Sequence, residues 1–168
     1  MTTTIAARDA TWSREEAALF NPAFMSLMMR QFVVGFQSYA DDNPHIALAM
    51  VGATLPLHHR TRLALPATYR TDLLEWLSRH GEVRFLHRGR VRAIAPLMIE
   101  GIVFGLQREI LRSEGVRILL GDRKVSAQAL QALGGDAGSC LESSRKVGRW
   151  FAASGPVAYQ LSLWGIAP

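Results

Sequence analysis

Phe24, Met28, Phe32 and Phe36 recur every four residues behind an Asn21-Pro22 start. Four-residue spacing lays large apolar side chains along one stripe of an α-helix, and a stripe that heavy has to be covered. Leu27 and Val34 widen it. Asn21 carries an N-cap side chain and Pro22 suits the first helical position. A helix is therefore predicted from Pro22 to about Tyr39, central to the core. Asp41-Asp42-Asn43-Pro44 repeats the cap pattern and predicts a second helix from Pro44 to about Leu55. Ile46, Leu48, Met50, Val51 and Leu55 make that helix apolar nearly all round, so it should be largely buried. It is too short to span a membrane.

The rest of the chain reads as further helices and one hairpin. Pro56 ends the second helix and opens Leu57-His58-His59-Arg60-Thr61-Arg62. A helix is expected from about Thr68 to Arg79, with Gly81 as its stop. Between Glu82 and Arg92, Val83 and Leu86 are mixed with Arg84, His87, Arg88, Arg90 and Arg92, which reads as a cationic solvent face. Pro96 should begin a long helix to about Arg112, with Gly115 after its end. Val116 to Val125 reads as a two-stranded hairpin turning at Gly121-Asp122. Ser126 to Leu133 reads as helical, residues 134–138 as a loop, and Ser139 to Ala153 as a helix before a short apolar tail helix. The expected fold is mainly α: a single helical domain over residues 13–168, with Ser13 capping a short turn, one β-hairpin near 116–125 and a flexible N-terminal arm over residues 1–12. A winged-helix-like core with a buried central helix is the alternative arrangement.

Chemistry is sparse. Asp41-Asp42 stands where caps stand, directly before Asn43-Pro44. His58 and His59 are adjacent and cannot share a helix face, and no acid lies close by in sequence. Cys140 is the single cysteine, so neither an internal disulfide nor a cysteine-based zinc site can form, and it reads as a small buried hydrophobe. The loop G-G-D-A-G lacks both the phosphate-loop lysine and the dinucleotide fingerprint. No catalytic, cofactor-binding or metal-binding residue is assigned, and the chain is expected not to be an enzyme. The start of the chain does not look like a secretory leader, and no stretch has the length of a membrane span, so a cytoplasmic setting is expected.

Charge points to contacts instead. Lysine and arginine together number 19 against 14 acids, a net charge of +5, and only Lys124 and Lys146 are lysines. Arginine pairs in a fork with carboxylates and phosphates and stacks on rings. Near the end, Arg145-Lys146-Val147-Gly148-Arg149-Trp150-Phe151 leads through Gly155-Pro156 to Leu163-Trp164-Gly165-Ile166-Ala167-Pro168. Arg145, Arg149, Trp150 and Trp164, with Arg60 and Arg62, are the candidate partner-binding residues. The competing reading is that the tail simply completes the core. Arg117, Arg123 and Lys124 on the expected hairpin are candidate phosphate contacts. As the wing of a DNA-binding winged helix they would need a reading helix. The stretch Pro96 to Leu106 is almost wholly apolar, whereas a reading helix needs polar side chains.

Several short blocks carry a resemblance. Leu19-Phe20-Asn21-Pro22-Ala23-Phe24 before a long helix is one. Leu55-Pro56-Leu57-His58 with Arg60-Thr61-Arg62 and Leu65-Pro66 is another, and the ending from Lys146 to Pro168 is a third. In this order they resemble the middle-component proteins of bacterial ABC three-component systems. The resemblance implies a non-catalytic adaptor that couples an SMC/Rad50-like ABC ATPase to an effector subunit in conflict or anti-phage defence loci. It brings no catalytic motif and no cofactor. A winged-helix DNA-binding regulator is the alternative function, and self-association is a further expectation.

Overall fold

The computed structural model describes residues 21–166. The expected arm over residues 1–12, the Ser13 cap, Leu19-Phe20 and the terminal Ala167-Pro168 lie outside the described residues. Within them the chain forms eight α-helices and one antiparallel hairpin, the mainly helical fold expected.

Helix α1 spans Pro22–Gln37, and the Asn21 side chain accepts the Phe24 amide at 2.8 Å. Met25, Met28, Met29, Phe32 and Val33 are fully buried, so two faces of the helix are covered rather than one stripe. Helix α2, Ile46–Thr54, starts two residues later than its expected Pro44. The cap is His45, whose Nδ1 accepts the Ala47 amide at 3.1 Å. Asp42 is otherwise engaged: it accepts from Arg117 at 2.7 Å. The reason is tertiary. The hairpin lies along this segment, with the Ile46 amide donating to the Val116 carbonyl and the Ile118 amide to the Pro44 carbonyl. That pairing holds residues 44–46 extended.

A 3₁₀ turn over Leu55–Leu57 leads into α3, His59–Ala64, which His58 caps. Helix α4, Leu73–Arg79, begins at an Asp72 cap, five residues after the expected start. That helix ends at Arg79 as expected, but the break falls at His80, and Gly81 opens α5, Gly81–Gln107, a 27-residue helix that absorbs both the mixed stretch and the expected Pro96 helix. Pro96 sits inside it on an exposed position, so the hydrogen bond it forfeits falls where water can reach the freed carbonyl. The apolar stretch from Pro96 to Leu106 is thus part of one helix, with Leu97, Met98, Gly101, Ile102 and Gly105 buried and the two glycines set against α1. The hairpin is shifted too: β1 is Leu111–Glu114 and β2 is Arg117–Leu120. Leu111 faces Leu120 and Glu114 faces Arg117, so the chain turns at Gly115-Val116 with Gly115 at φ +56. The expected turn glycine, Gly121, instead lies against the Glu109 carbonyl, where a Cβ would collide. Helices α6, Ala127–Ala132, α7, Gly135–Ala153, and α8, Val157–Leu163, complete the fold, α7 starting inside the expected 134–138 loop.

The core is α1 held between α5 and α7. A Cβ on Gly35 would fall on the Arg145 carbonyl oxygen, and one on Gly148 on the Phe32 carbonyl oxygen, so α1 and α7 touch backbone to backbone. On the other side Gly101 and Gly105 of α5 sit against Met25 and Ser26.

Candidate functional site

Two tryptophans anchor the segment that joins α3 to α4. Trp76 Nε1 donates to the Ala64 carbonyl at 2.9 Å, and Trp150 Nε1 to the Thr71 carbonyl at 2.7 Å. The rings meet edge to face with centroids 5.1 Å apart. Both ends of residues 65–70 are thereby fixed, and the segment stands off α7 to leave a cleft of about 500 Å³. Ser143, Lys146, Val147 and Trp150 line its α7 side at helical spacing, and Leu65, Pro66, Thr68 and Tyr69 line the other.

The cleft is cationic, with no carboxylate in its lining. Arg149 lies 4.1 Å from the Tyr69 ring centroid, a cation stacked over the ring. Tyr69 in turn packs on Tyr39 at 5.6 Å. A hydrogen bond from Arg70 and its charge hold the Tyr69 hydroxyl below its usual pKa. Lys146 pairs with Glu142 at 2.8 Å on the rim. Arg62 closes the inner end with its side chain 6% exposed. It donates to the Pro56 carbonyl at 2.7 Å and to Cys140 Sγ at 2.9 Å, and it pairs with Asp136. Arg62 thus ties α3 to α7, and most of its donors are already spent.

Of the residues singled out in the sequence, Arg62, Arg149 and Trp150 meet here although 87 residues separate the first two. Arg60 is exposed on α3 and Arg145 on α7, outside the cleft lining. Trp150 and Trp164 are 1% and 2% exposed, so their rings belong to the core. Trp164 packs on His87 at 5.0 Å and on Phe151 at 6.3 Å. Sequence reasoning misses the part played by Tyr69 and Trp76; nothing in their local sequence sets them apart from ordinary core aromatics.

The blocks Leu55 to Pro66 and Lys146 to Phe151, far apart in the chain, meet at this cleft. Over residues 10–168 the sequence matches the family described as ABC-three component (ABC-3C) system Middle Component 3. The chain belongs to that family. No curated protein and no solved structure matches it closely enough to be called similar.

Outside the cleft, several titratable groups of this Middle Component 3 chain are buried or serve as helix caps. Burial pushes the Cys140 thiol up to about 11, far from a reactive thiolate. His45 and His58 serve as helix caps. His87, expected on a solvent face, is 1% exposed, and burial lowers its pKa to about 4. Its Nε2 lies 2.9 Å from the Val51 carbonyl, to which the neutral ring donates. Among the described residues no group of three His, Cys, Asp or Glu could hold a metal, and no helix is long and apolar enough to cross a membrane.

The candidate phosphate contacts are split. Arg117, beside the hairpin turn, is taken up by Asp42 and the Asn43 carbonyl. Arg123 and Lys124 stand beyond the base of the hairpin with Arg108, around a shallow depression floored by Leu27 and Phe104. Three cations neutralise at most about three phosphates. Binding to a duplex oligonucleotide, followed by fluorescence anisotropy, is therefore expected to weaken about 40-fold between about 50 and about 200 mM salt. Sequence-dependent binding that survives the higher salt would contradict this.

Proposed function

We propose that this chain is a non-catalytic, cytoplasmic adaptor that couples an SMC/Rad50-like ABC ATPase to an effector subunit in a bacterial anti-phage conflict system. The observation that carries the reading is the cleft between residues 65–70 and α7, whose cations are arranged for recognition. Arg149 is stacked on Tyr69 and so preset in the cleft lining. Such an arginine loses little freedom when it pairs with a carboxylate, which is how arginine comes to dominate protein interfaces. The cleft pairs no nucleophile with a base, and the one thiol is buried beside Arg62. Membership of the middle-component family supports assembly with other components.

The test is co-purification with the products of neighbouring genes. Arg149→Ala is expected to weaken the complex by about 1–2 kcal/mol, roughly 5- to 30-fold, and to leave the unfolding temperature unchanged. Undiminished binding by that variant would remove the cleft from the interface. Hydrolytic turnover by the purified chain alone, lost on changing His58 or His59, would overturn the non-catalytic reading.

A further inference from the structure

What lines the cleft between residues 65–70 and α7 restricts what can fill it. Lys146 and Arg149 stand one turn apart on α7 and line it together. Ser143 and Thr68 add hydroxyls, and no carboxylate lines the cleft to balance the cations. Lys146 pairs with Glu142 on the rim, both side chains largely exposed, so an incoming carboxylate can share it. Arg149 has no carboxylate partner among the described residues. An arginine held over a ring, as Arg149 is over Tyr69, keeps N–H donors for an acceptor. The cleft therefore calls for an anion.

The rings and the helix direction decide which anion. A nucleotide or a single nucleic-acid strand would need an open ring on which to stack a base. Trp150 is 1% exposed and its N–H is taken by Thr71, while Tyr69 is engaged by Arg149, Arg70 and Tyr39. A free phosphate is best held by the amides of a helix start. The cleft instead runs along α7 from Ser143 to Trp150, away from the start at Gly135. The wall facing the cations offers half-buried Leu65 and Pro66. One cationic wall and one apolar wall fit a peptide that carries both kinds of side chain. At about 500 Å³ the cleft has room for a few residues and not for a helix about 10 Å across. In an extended chain, successive side chains point to opposite sides. We propose that the cleft binds a short extended segment of a partner protein in which two acidic residues flank an apolar one. The two carboxylates meet Arg149 and Lys146, and the apolar side chain between them meets Leu65 and Pro66. The identity of the occupant as a partner protein rests on the adaptor reading; the pattern is what the cleft adds to it.

The probe is a fluorescein-labelled peptide, Gly-Ser-Glu-Leu-Glu-Ser-Gly, whose binding to the full chain is followed by fluorescence anisotropy. A Kd of about 100 µM is expected in about 50 mM salt. The same peptide with Gln in place of both Glu should bind at least about tenfold more weakly. Arg149→Ala should weaken binding at least about tenfold and Lys146→Ala about threefold, with unfolding temperatures unchanged. Arg149→Lys keeps the charge without the fork and should stay at least about threefold weaker than the native chain. Arg92→Ala removes the same charge from an exposed position on α5 and should change binding by less than about twofold. No binding at about 2 mM overturns the proposal, as does equal loss in the Arg92 and Arg149 variants. So does displacement of the peptide by inorganic phosphate or a short thymidine oligonucleotide at concentrations below its own Kd. Failure of the adaptor reading looks different: the peptide binds through Arg149, yet no product of a neighbouring gene co-purifies. A complex that forms and survives Arg149→Ala, with no peptide binding, overturns this proposal and leaves the adaptor reading in place.

Discussion

Gly148→Ala is expected to destabilise the protein by about 3 kcal/mol, at the upper end of what overpacking costs. Alanine is the better helix former by about 1 kcal/mol, so an unhindered site in a helix gains from this exchange. Gly148 is hindered by backbone. The added methyl would occupy the place of the Phe32 carbonyl oxygen, and a neighbouring helix cannot step aside as a side chain can. Gly35→Ala should behave alike, since its methyl would meet the Arg145 carbonyl. Gly138 supplies the control on the same helix: nothing lies within 4 Å of the place its methyl would take. Gly138→Ala is expected to be neutral or stabilising by up to about 1 kcal/mol. Urea unfolding followed by far-UV circular dichroism measures all three. Equal midpoints for the Gly148 and Gly138 variants would mean that α1 and α7 are not in backbone contact.

Acid should destabilise the protein through His87. In the unfolded chain the ring has its ordinary pKa of 6.5; in the fold, burial holds it near 4 with Arg90 and His58 adding repulsion, against the opposing hydrogen bond to Val51. Between those values the unfolded state carries a proton that the folded state refuses. The stability is whole above pH 6.5 and is lost progressively as the pH falls toward 4, by about 3 kcal/mol. His87→Leu keeps the site apolar and removes the titrating group. The variant's stability should therefore change less between pH 6.5 and 5, a window chosen above the range where most carboxylates titrate. His58, whose pKa burial also lowers, leaves a smaller residual slope in the same direction. An unchanged pH profile in His87→Leu would show that His87 is not the acid-sensitive group.

The roles of His87 and Gly148 are hidden in the sequence. His87 stands among Arg84, Arg88, Arg90 and Arg92, neighbours that give it the look of a wet face. Three of those arginines are exposed and Arg90 is half-buried, whereas His87 turns inward to Val51 and Trp164. Gly148 reads as a gap in a helix between a lysine-valine pair and an arginine-tryptophan pair; only the position of Phe32 explains it. The cap at Asn43-Pro44 fails because the hairpin claims the backbone of residues 44–46 for its own hydrogen bonds. The hairpin turns at Gly115-Val116 although Gly121-Asp122 is the better local turn pair. The choice falls to whichever register buries Leu111 and Ile118.

What the sequence determined by itself was the local grammar. The Asn21-Pro22 start, the four-residue stripe of α1, the helix after Ser126 and the helix ahead of Gly155-Pro156 all follow from interactions between residues a turn apart, which the chain order alone specifies. The mainly helical class and the burial of Cys140 follow from the same short-range reading. Long-range packing settles which helices lie on α1, that Arg62 and Arg149 share a cleft, that Trp150 is spent on pinning a loop, and that α5 runs unbroken through Pro96 with an apolar line facing out. Those outcomes depend on which surfaces meet across long stretches of chain, where close packing and the pairing of buried backbone outweigh any local preference.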